Sequence, residues 1–454
     1  MKTFNICDFG ARFCDELQTE AIQKAIDACF LAGGGRVVVP CGIFLTGDIR
    51  LRSHVELYLE AGAILKGSRD PEDYMHYRKD GLEPVTIEQV GTTPNTRASC
   101  IATSRWSNGL IRAFDAEDIA VIGEKGSYID GSNCYDAQGE NDFRGPHGMS
   151  FWRCRNIRLE GYTVIHSGNW AHAIFRSQNI TVRKVSVYGG HDGVDVRTCD
   201  NVLIEDCTFN TGDDCVAGFD NHDVVVRNCL MNSSCMPVRF GGNNVLFENC
   251  HAERRNAFGF RMYIPLEDKV HGHITDASTR HDAKAPFSYY CDFRAEIRKT
   301  PGNMVFRNCH FEKVHELMRL EFTGVNRWCV NRGLESITFE DCTFAGLTRT
   351  GMLWSSEAEK VTCHFKNVKI SCEPGSEKTI LLAVGNFKEL IFEDTVIEGF
   401  EDPTILVGAE GEIRMIRSTP VTAKKATFEE CLQAHPWGMA LQDRLRLGLG
   451  VPQG

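Results

Sequence analysis

Three carboxylates stand out for the chemistry their types and spacing allow: Asp192, and the adjacent pair Asp213 and Asp214, 21 and 22 residues further on. They fall within His191–Ala217, HDGVDVRTCDNVLIEDCTFNTGDDCVA. Grouped carboxylates repel, which keeps a proton on one of them at a pH where an isolated aspartate has lost it. One protonated acid beside ionised neighbours is what cleavage of a glycosidic bond requires, an acid for the leaving oxygen and a base for water. Gly212-Asp213-Asp214 alone is also what a strand-capping turn looks like, with its carboxylates bonding backbone N–H groups. The two readings part on whether the intervening residues bring Asp192 alongside the pair.

Those residues are one copy of a repeat. Asn156-Ile-Arg-Leu-Glu-Gly161, Asn179-Ile-Thr-Val-Arg-Lys184, Asn201-Val-Leu-Ile-Glu-Asp206, Asp223-Val-Val-Val-Arg-Asn228 and Asn244-Val-Leu-Phe-Glu-Asn249 share a polar, apolar, variable, apolar, polar, polar order. Their starts are spaced by 23, 22, 22 and 21 residues, and the form recurs at Asp118, Asn303, Ser336 and Glu389. Cys207, Cys229, Cys250, Cys309 and Cys342 occupy one phase of it, which reads as a stacked column of small interior residues at a turn. Short strands, one turn per repeat and alternating apolar positions predict an all-β chain, a right-handed parallel β-helix. Leucine-rich repeats would need an LxxLxL pattern with an Asn ladder, and helical repeats a 3.6-residue period; neither occurs.

Parallel strands stack about 4.7–4.9 Å apart, so residues one repeat apart become neighbours on one face. Asp192 then adjoins Asp213 and Asp214. Counting on by the same step reaches Arg239, 25 beyond Asp214, and Arg261, 22 beyond Arg239; counting back from His191 by 25 reaches His166. The arginines would hold a carboxylate or hydroxyl groups of a sugar by charge-assisted hydrogen bonds. His166, His172 and His191 either line the cleft or serve as hydrogen-bonded structural residues; Trp170 and Tyr263 offer faces for a sugar ring, with plain packing an equal reading of Trp170.

An open stack needs covered ends. Residues 17–32 place Leu17, Ala21, Ile22, Ala25, Ile26 and Cys29 at helical spacing, with Thr19 as a cap and Gly33-Gly34-Gly35 as the stop. This predicts an N-terminal capping helix. The chain divides as 1–117, the cap and first coils with a polar excursion over 69–100; 118–418, the main helix with a charged insertion at 266–302 that would wall one end of the cleft; and 419–454, a C-terminal segment folded over the far end. No linker composition separates these, so one continuous domain is expected.

Composition bounds the partners. At 42% hydrophobic residues the 454-residue chain can fill a core, and its formal charge of -11 gives no general attraction to nucleic acid or an anionic bilayer. Met1–Asp8 holds no apolar stretch of about 7–15 residues, and no run reaches the roughly 20 that span a bilayer. With no export signal, the 20 cysteines read as reduced, buried residues of a cytoplasmic protein. No Cys/His grouping has zinc-ligand spacing, so no metal site is expected.

The residues around the acids resemble the polygalacturonase-type glycoside hydrolases of family 28. Gly212-Asp213-Asp214-Cys215-Val216-Ala217 is similar to that family's Gly-Asp-Asp-Cys-Ile-Ala motif, and Gly190-His191-Asp192-Gly193 to its Asn-Thr-Asp-Gly. Ser167-Gly168-Asn169-Trp170 resembles its Ser-Pro-x-Trp, and Asp8–Ala11, Thr19–Gln23 and Gly62–Gly67 resemble other pectin-active β-helix proteins. The resemblance implies Asp213 as proton donor, Asp192 and Asp214 as the carboxylates activating water, hydrolysis with inversion, and no cofactor. The family's Gly-His-Gly segment falls near Ser234–Pro237, without its histidine, and its Arg-Ile-Lys on Arg261-Met262-Tyr263, with tyrosine for lysine. Those groups contact an acidic sugar in the family, so the resemblance leaves the sugar and linkage open. The resulting expectation is an exo-acting hydrolase of pectin-derived or related oligosaccharides. A lyase or epimerase on the same fold, or a non-catalytic carbohydrate-binding β-helix, stands as the alternative.

Overall fold

The structure, a computed structural model, describes residues 1–74, 105–252, 256–261, 264, 266–271, 281–292, 294–322 and 328–435. It is a right-handed parallel β-helix, formed in each of two compact units: residues 1–213 with 257–280, and residues 214–256 with 281–454. No helix among the described residues is long and apolar enough to cross a membrane.

Each coil of the first unit has three strands. Gln178–Arg183, Ser186–Gly189 and Val194–Arg197 make one turn, and each pairs in parallel with its counterpart a turn away. The first strand is the repeat found in the sequence. Its two apolar positions point inward and stack in exact register, Ile157 on Ile180 on Val202 and Leu159 on Val182 on Ile204. In the second unit the inner apolar position becomes an aromatic column. Phe247, Phe306, Phe339, Phe365 and Phe392 stack with centroid spacings of 4.7, 5.0, 5.0 and 5.1 Å. All are fully buried, and each contributes about 1.5–3 kcal/mol of transfer free energy.

The polar ends of the repeat have a backbone cause. Asn156, Asn179, Asn201, Asp223, Asn244 and Asn303 all have φ between 49° and 58°, the left-handed region that Asn and Asp tolerate best among residues with a side chain. They turn the corner into the first strand. Their amides then bond from coil to coil, Asn201 Nδ2 to Asn179 Oδ1 at 3.1 Å and Asn179 Nδ2 to Asn156 Oδ1 at 2.9 Å. The closing position does the same: Asn228, Asn249 and Asn308 are left-handed and linked by amide bonds of 3.1 and 2.7 Å. Behind that corner sits the cysteine column, each buried thiol donating to the carbonyl two residues before it, as Cys207 does to Glu205 at 3.2 Å. Among the described residues all nineteen cysteines are free thiols.

Helix α1 (Thr19–Leu31) covers the first strands with Ile22, Ala25, Ile26 and Cys29. Two expectations for it fail. Thr19 is not its cap: the residue before the helix is Gln18, without a side-chain capping bond, and Thr19 Oγ1 instead accepts from Gly47 N at 2.8 Å, tying helix to sheet. Leu17 precedes the helix and is 45% exposed. The polar excursion is described only as far as Tyr74, and of the C-terminal segment only residues up to 435 are described. Within 266–302 lie helix α2 (Leu266–His271) and the strand Phe287–Tyr289, which is part of a coil and pairs with Val238–Phe240.

Candidate active site

The corner between the second and third strands is where the first unit collects its polar residues. Loops 131–146, 166–171 and 190–193 all turn there, and the chain reaches the same corner again at Gly212 and Asp213.

Asp192 stands just before Val194–Arg197 and is 5% exposed. Its carbonyl accepts from Ala171 N at 2.9 Å, and the next carbonyl, of Gly193, accepts from His172 N at 3.1 Å and from His172 Nδ1 at 2.9 Å. Two motif glycines are required by crowding. A Cβ at Gly190 would lie 2.2 Å from Arg261 Cδ, and one at Gly212 would lie 2.3 Å from the carbonyl oxygen of Gly259. The segment carrying Arg261 therefore lies directly on the acid-bearing turns of its unit.

Asp213 is held by a residue that sequence phase did not identify. Arg144 Nη2 donates to its Oδ2 at 3.2 Å, while Nη1 donates to Asn169 Oδ1 at 3.2 Å and lies 3.7 Å from Glu140. Desolvation of the buried guanidinium pulls its pKa down, yet the carboxylates of Glu140, Asp213 and Asp192 outweigh this and leave it raised. Three further groups surround the cluster. Arg261 is 7% exposed and donates to Asn133 Oδ1 at 3.1 Å; burial, then Arg144, lower its pKa to about 10. Lys269 sits 4.1 Å above the Phe143 ring, its pKa lowered by desolvation, then Arg261 and Arg144. His191, 1% exposed, stacks on Phe143 at 6.1 Å, and burial followed by the Arg261 and Arg144 charges pushes its pKa well below the usual value, so it is neutral.

Asp214 belongs to the second unit and is 1% exposed. Arg239 Nη1 approaches its Oδ2 at 3.5 Å. The Arg239 guanidinium lies in the angle between two rings set edge to face, Tyr290 at 4.5 Å and Trp328 at 4.8 Å, which fixes its direction. Tyr290 is anchored in turn by Arg294, which donates to its hydroxyl at 2.8 Å, and by edge-on contact with Phe219 at 5.0 Å.

The sequence-derived residues thus divide. Asp192, Asp213, His191 and Arg261 gather at one corner of the first unit, while Asp214 and Arg239 pair in the second. Equal phase for Arg239 and Arg261 is overturned: Arg239 is in register with Ala217 before it and Ser288 after it. The chain leaves the coil after His251–Ala252 and returns at Phe287, so residue 261 lies on the excursion. His166 is 45% exposed in its side chain and lies 3.5 Å from Asp130. Tyr263 lies outside the described residues. Trp170 is no sugar platform, since it is packed among Trp106, Trp152 and Phe175 under the Arg197 guanidinium at 4.4 Å. His172 is interior, its Nε2 2.9 Å from the Tyr162 hydroxyl. Arg144, Phe143 and Trp328 on loops and Lys269 on α2 were missed because they sit outside the period.

Residues 79–237 match the family model described as glycosyl hydrolases family 28, a span that includes Asp192, Asp213 and Asp214. This span, about a third of the chain, is similar to that family. A probable polygalacturonase of Vitis vinifera is 28% identical over 237 residues, 48% of this chain and 45% of that protein. An exo-poly-alpha-D-galacturonosidase of Dickeya chrysanthemi is 27% identical over 253 residues, 47% of this chain and 41% of that protein. The matched span is less than half the length of either relative. In fold, the hyperthermoactive exopolygalacturonase from Thermotoga maritima is similar with a TM-score of 0.58, at 20% identity over 91% of each chain.

Proposed function

We propose that the protein is an exo-acting glycoside hydrolase that cleaves pectin-derived oligosaccharides with inversion, Asp213 protonating the leaving oxygen and Asp192 and Asp214 activating water. The observation that carries this reading is Arg144. A buried guanidinium bonded to Asp213 and electrostatically engaged with Asp192 fixes the two acids about one cation, an expensive arrangement for a mere strand cap. Galacturonan is the favoured polymer because similar proteins carry polygalacturonase and galacturonosidase names, and because Arg261 and Lys269 put positive charge at the same corner. A cytoplasmic location belongs to the same reading, supported by the buried free thiols; recovery of the mature protein outside the cell with intact disulfides would refute it.

The test is a digest of galacturonate oligomers and aryl glycosides by the wild type and Asp213→Asn, with the product anomer followed by NMR. Hydrolysis with inverted product, reduced by about 10²–10⁴-fold in the variant, is expected. An unsaturated product would identify a lyase instead, and equal rates in both proteins would remove Asp213 from the mechanism.

A further inference from the structure

The third strand of each coil in the second unit carries an outward-facing column that changes character along the stack. Its register partners are Ala217, Arg239, Ser288, Arg319, Met352, Ala383 and Leu406. From Arg239 to Ala383 exposure falls: the Arg239 side chain is 21% exposed, Arg319 7%, Met352 and Ala383 none, before Leu406 is again partly exposed. An outer face this deeply buried needs a cover. The cover is helix α3 (Phe428–Ala434), whose Cys431 and Leu432 pack on Met352, Trp354 and Ala383.

The fit is specific. Trp354 faces outward beside Met352, and its indole lies against bare backbone: a Cβ at Gly385 would stand 2.6 Å from the ring, and one at Gly408 2.7 Å. The same Gly408 position lies 2.9 Å from Cys431 Sγ, so the helix rests on the ring where the sheet has no side chains. A capping box fixes the start of α3, Thr427 Oγ1 accepting from Glu430 N at 3.1 Å and Glu430 Oε2 from Thr427 N at 2.6 Å. Its far end is pinned at the polar boundary. His435 Nδ1 donates to the Thr350 carbonyl at 2.6 Å, and Nε2 lies 3.0 Å from Glu321, which with Glu316 also flanks Arg319 at 3.6 and 2.7 Å. Helix and ion cluster together end the open face at Arg319, two coils past Arg239 or roughly 10 Å.

We propose that α3 and the Glu316–Arg319–Glu321–His435 cluster are the wall that ends the substrate groove in this unit, and so set how many sugars lie beyond Arg239. This rests on the groove passing Asp214 and Arg239 as the hydrolase reading requires, and it moves the exo wall from residues 266–302 to residues 428–435.

The experiment has two arms. Calorimetry with galacturonate oligomers of increasing length, on Asp213→Asn protein, reads the groove without turnover. Affinity should rise with length and then stop, with less than about fivefold, the worth of one net hydrogen bond, for each further sugar. The full-length Leu432→Asp/His435→Ala variant, checked for fold by circular dichroism, should extend the rise and release mixed product lengths where the wild type releases one. Affinity that climbs with every added sugar in the first arm overturns the wall, whether or not the double variant folds. A folded variant with unchanged length dependence and products overturns it too. A length plateau in a wild type that hydrolyses nothing would support the wall while removing the hydrolase reading.

Discussion

His172 Nδ1 lies 2.9 Å from the carbonyl oxygen of Gly193, the residue that follows Asp192. A carbonyl only accepts, so Nδ1 carries the proton; Nε2 is then bare and accepts the Tyr162 hydroxyl at 2.9 Å. The interior ring thus holds the backbone of the Asp192 turn in place, and burial keeps it neutral.

Its pKa follows. Burial lowers it from 6.5 to about 4, against a smaller upward pull from the Gly193 carbonyl. A depressed folded pKa means the unfolded chain takes up a proton between pH 6.5 and 4 that the folded chain refuses. The stabilisation is therefore complete above pH 6.5 and lost as pH falls through 4, about 3 kcal/mol in all. His147, lowered to about 3 by burial and then Arg197, acts in the same direction. Urea unfolding between pH 7.5 and 4.5 should show stability dropping with acid, and His172→Asn, which retains a donor toward Gly193, should remove about one proton from that slope. An unchanged slope would mean His172 is not held neutral.

Arg144 makes a second prediction. It is 8% exposed and pairs with Asp213, so removing it takes an ion pair from that carboxylate and a hydrogen bond from Asn169. Arg144→Ala should cost about 3 kcal/mol in stability and reduce kcat more than it raises KM, because the substrate-binding side chains remain. Arg144→Lys keeps the charge without the fork and should recover only part. In a double-mutant cycle with Asp213→Asn, the stability losses should fall short of additive by about 1–3 kcal/mol. Additive losses would show that the two residues do not act together.

How much of this was legible in sequence depends on whether a residue belongs to the period. Asn179 and Asn201 announced the coil corners because few side chains tolerate their left-handed backbone, and Phe306 and Phe339 announced the core because register is fixed by alternation. Asp213 was legible through its motif. Arg144 was not, since loop 131–146 obeys no repeat and its path is set by contacts made only after folding. Arg261 was legible as a residue but misplaced in space, because counting assumes an unbroken coil. Trp170 stayed open between two readings for another reason: an aromatic near an acid motif looks the same in sequence whether it faces a sugar or, as here, Arg197.

The corner residues support a third prediction. Asn179 has φ 56° and makes amide bonds to Asn156 and Asn201 at 2.9 and 3.1 Å. Asn179→Ala loses both bonds and leaves in the left-handed region a residue without the polar side chain that lets Asn tolerate it, costing about 2 kcal/mol. Asn179→Gly loses the bonds while relieving the strain, so its thermal midpoint should lie between those of the wild type and the alanine variant. If the two variants melt together, the backbone contributes nothing and the ladder alone matters.

Gly385 tests the seat of α3 without touching the helix. Its φ is unremarkable, so alanine meets no backbone penalty there; the obstacle is the Trp354 ring, 2.6 Å from the new Cβ. The ring cannot move inward, because Leu353 and Val384 on either side of the two strands are fully buried in the coil. It must tilt outward against Cys431 and Leu432, so the strain falls on the helix contact rather than on the core. Gly385→Ala should cost about 1–3 kcal/mol, the usual penalty for overpacking, with amide exchange accelerated over 428–434 before the strands it covers. If exchange rises equally in the Leu382–Gly385 and Gly351–Trp354 strands, the glycine serves the coil and not the seat of the helix.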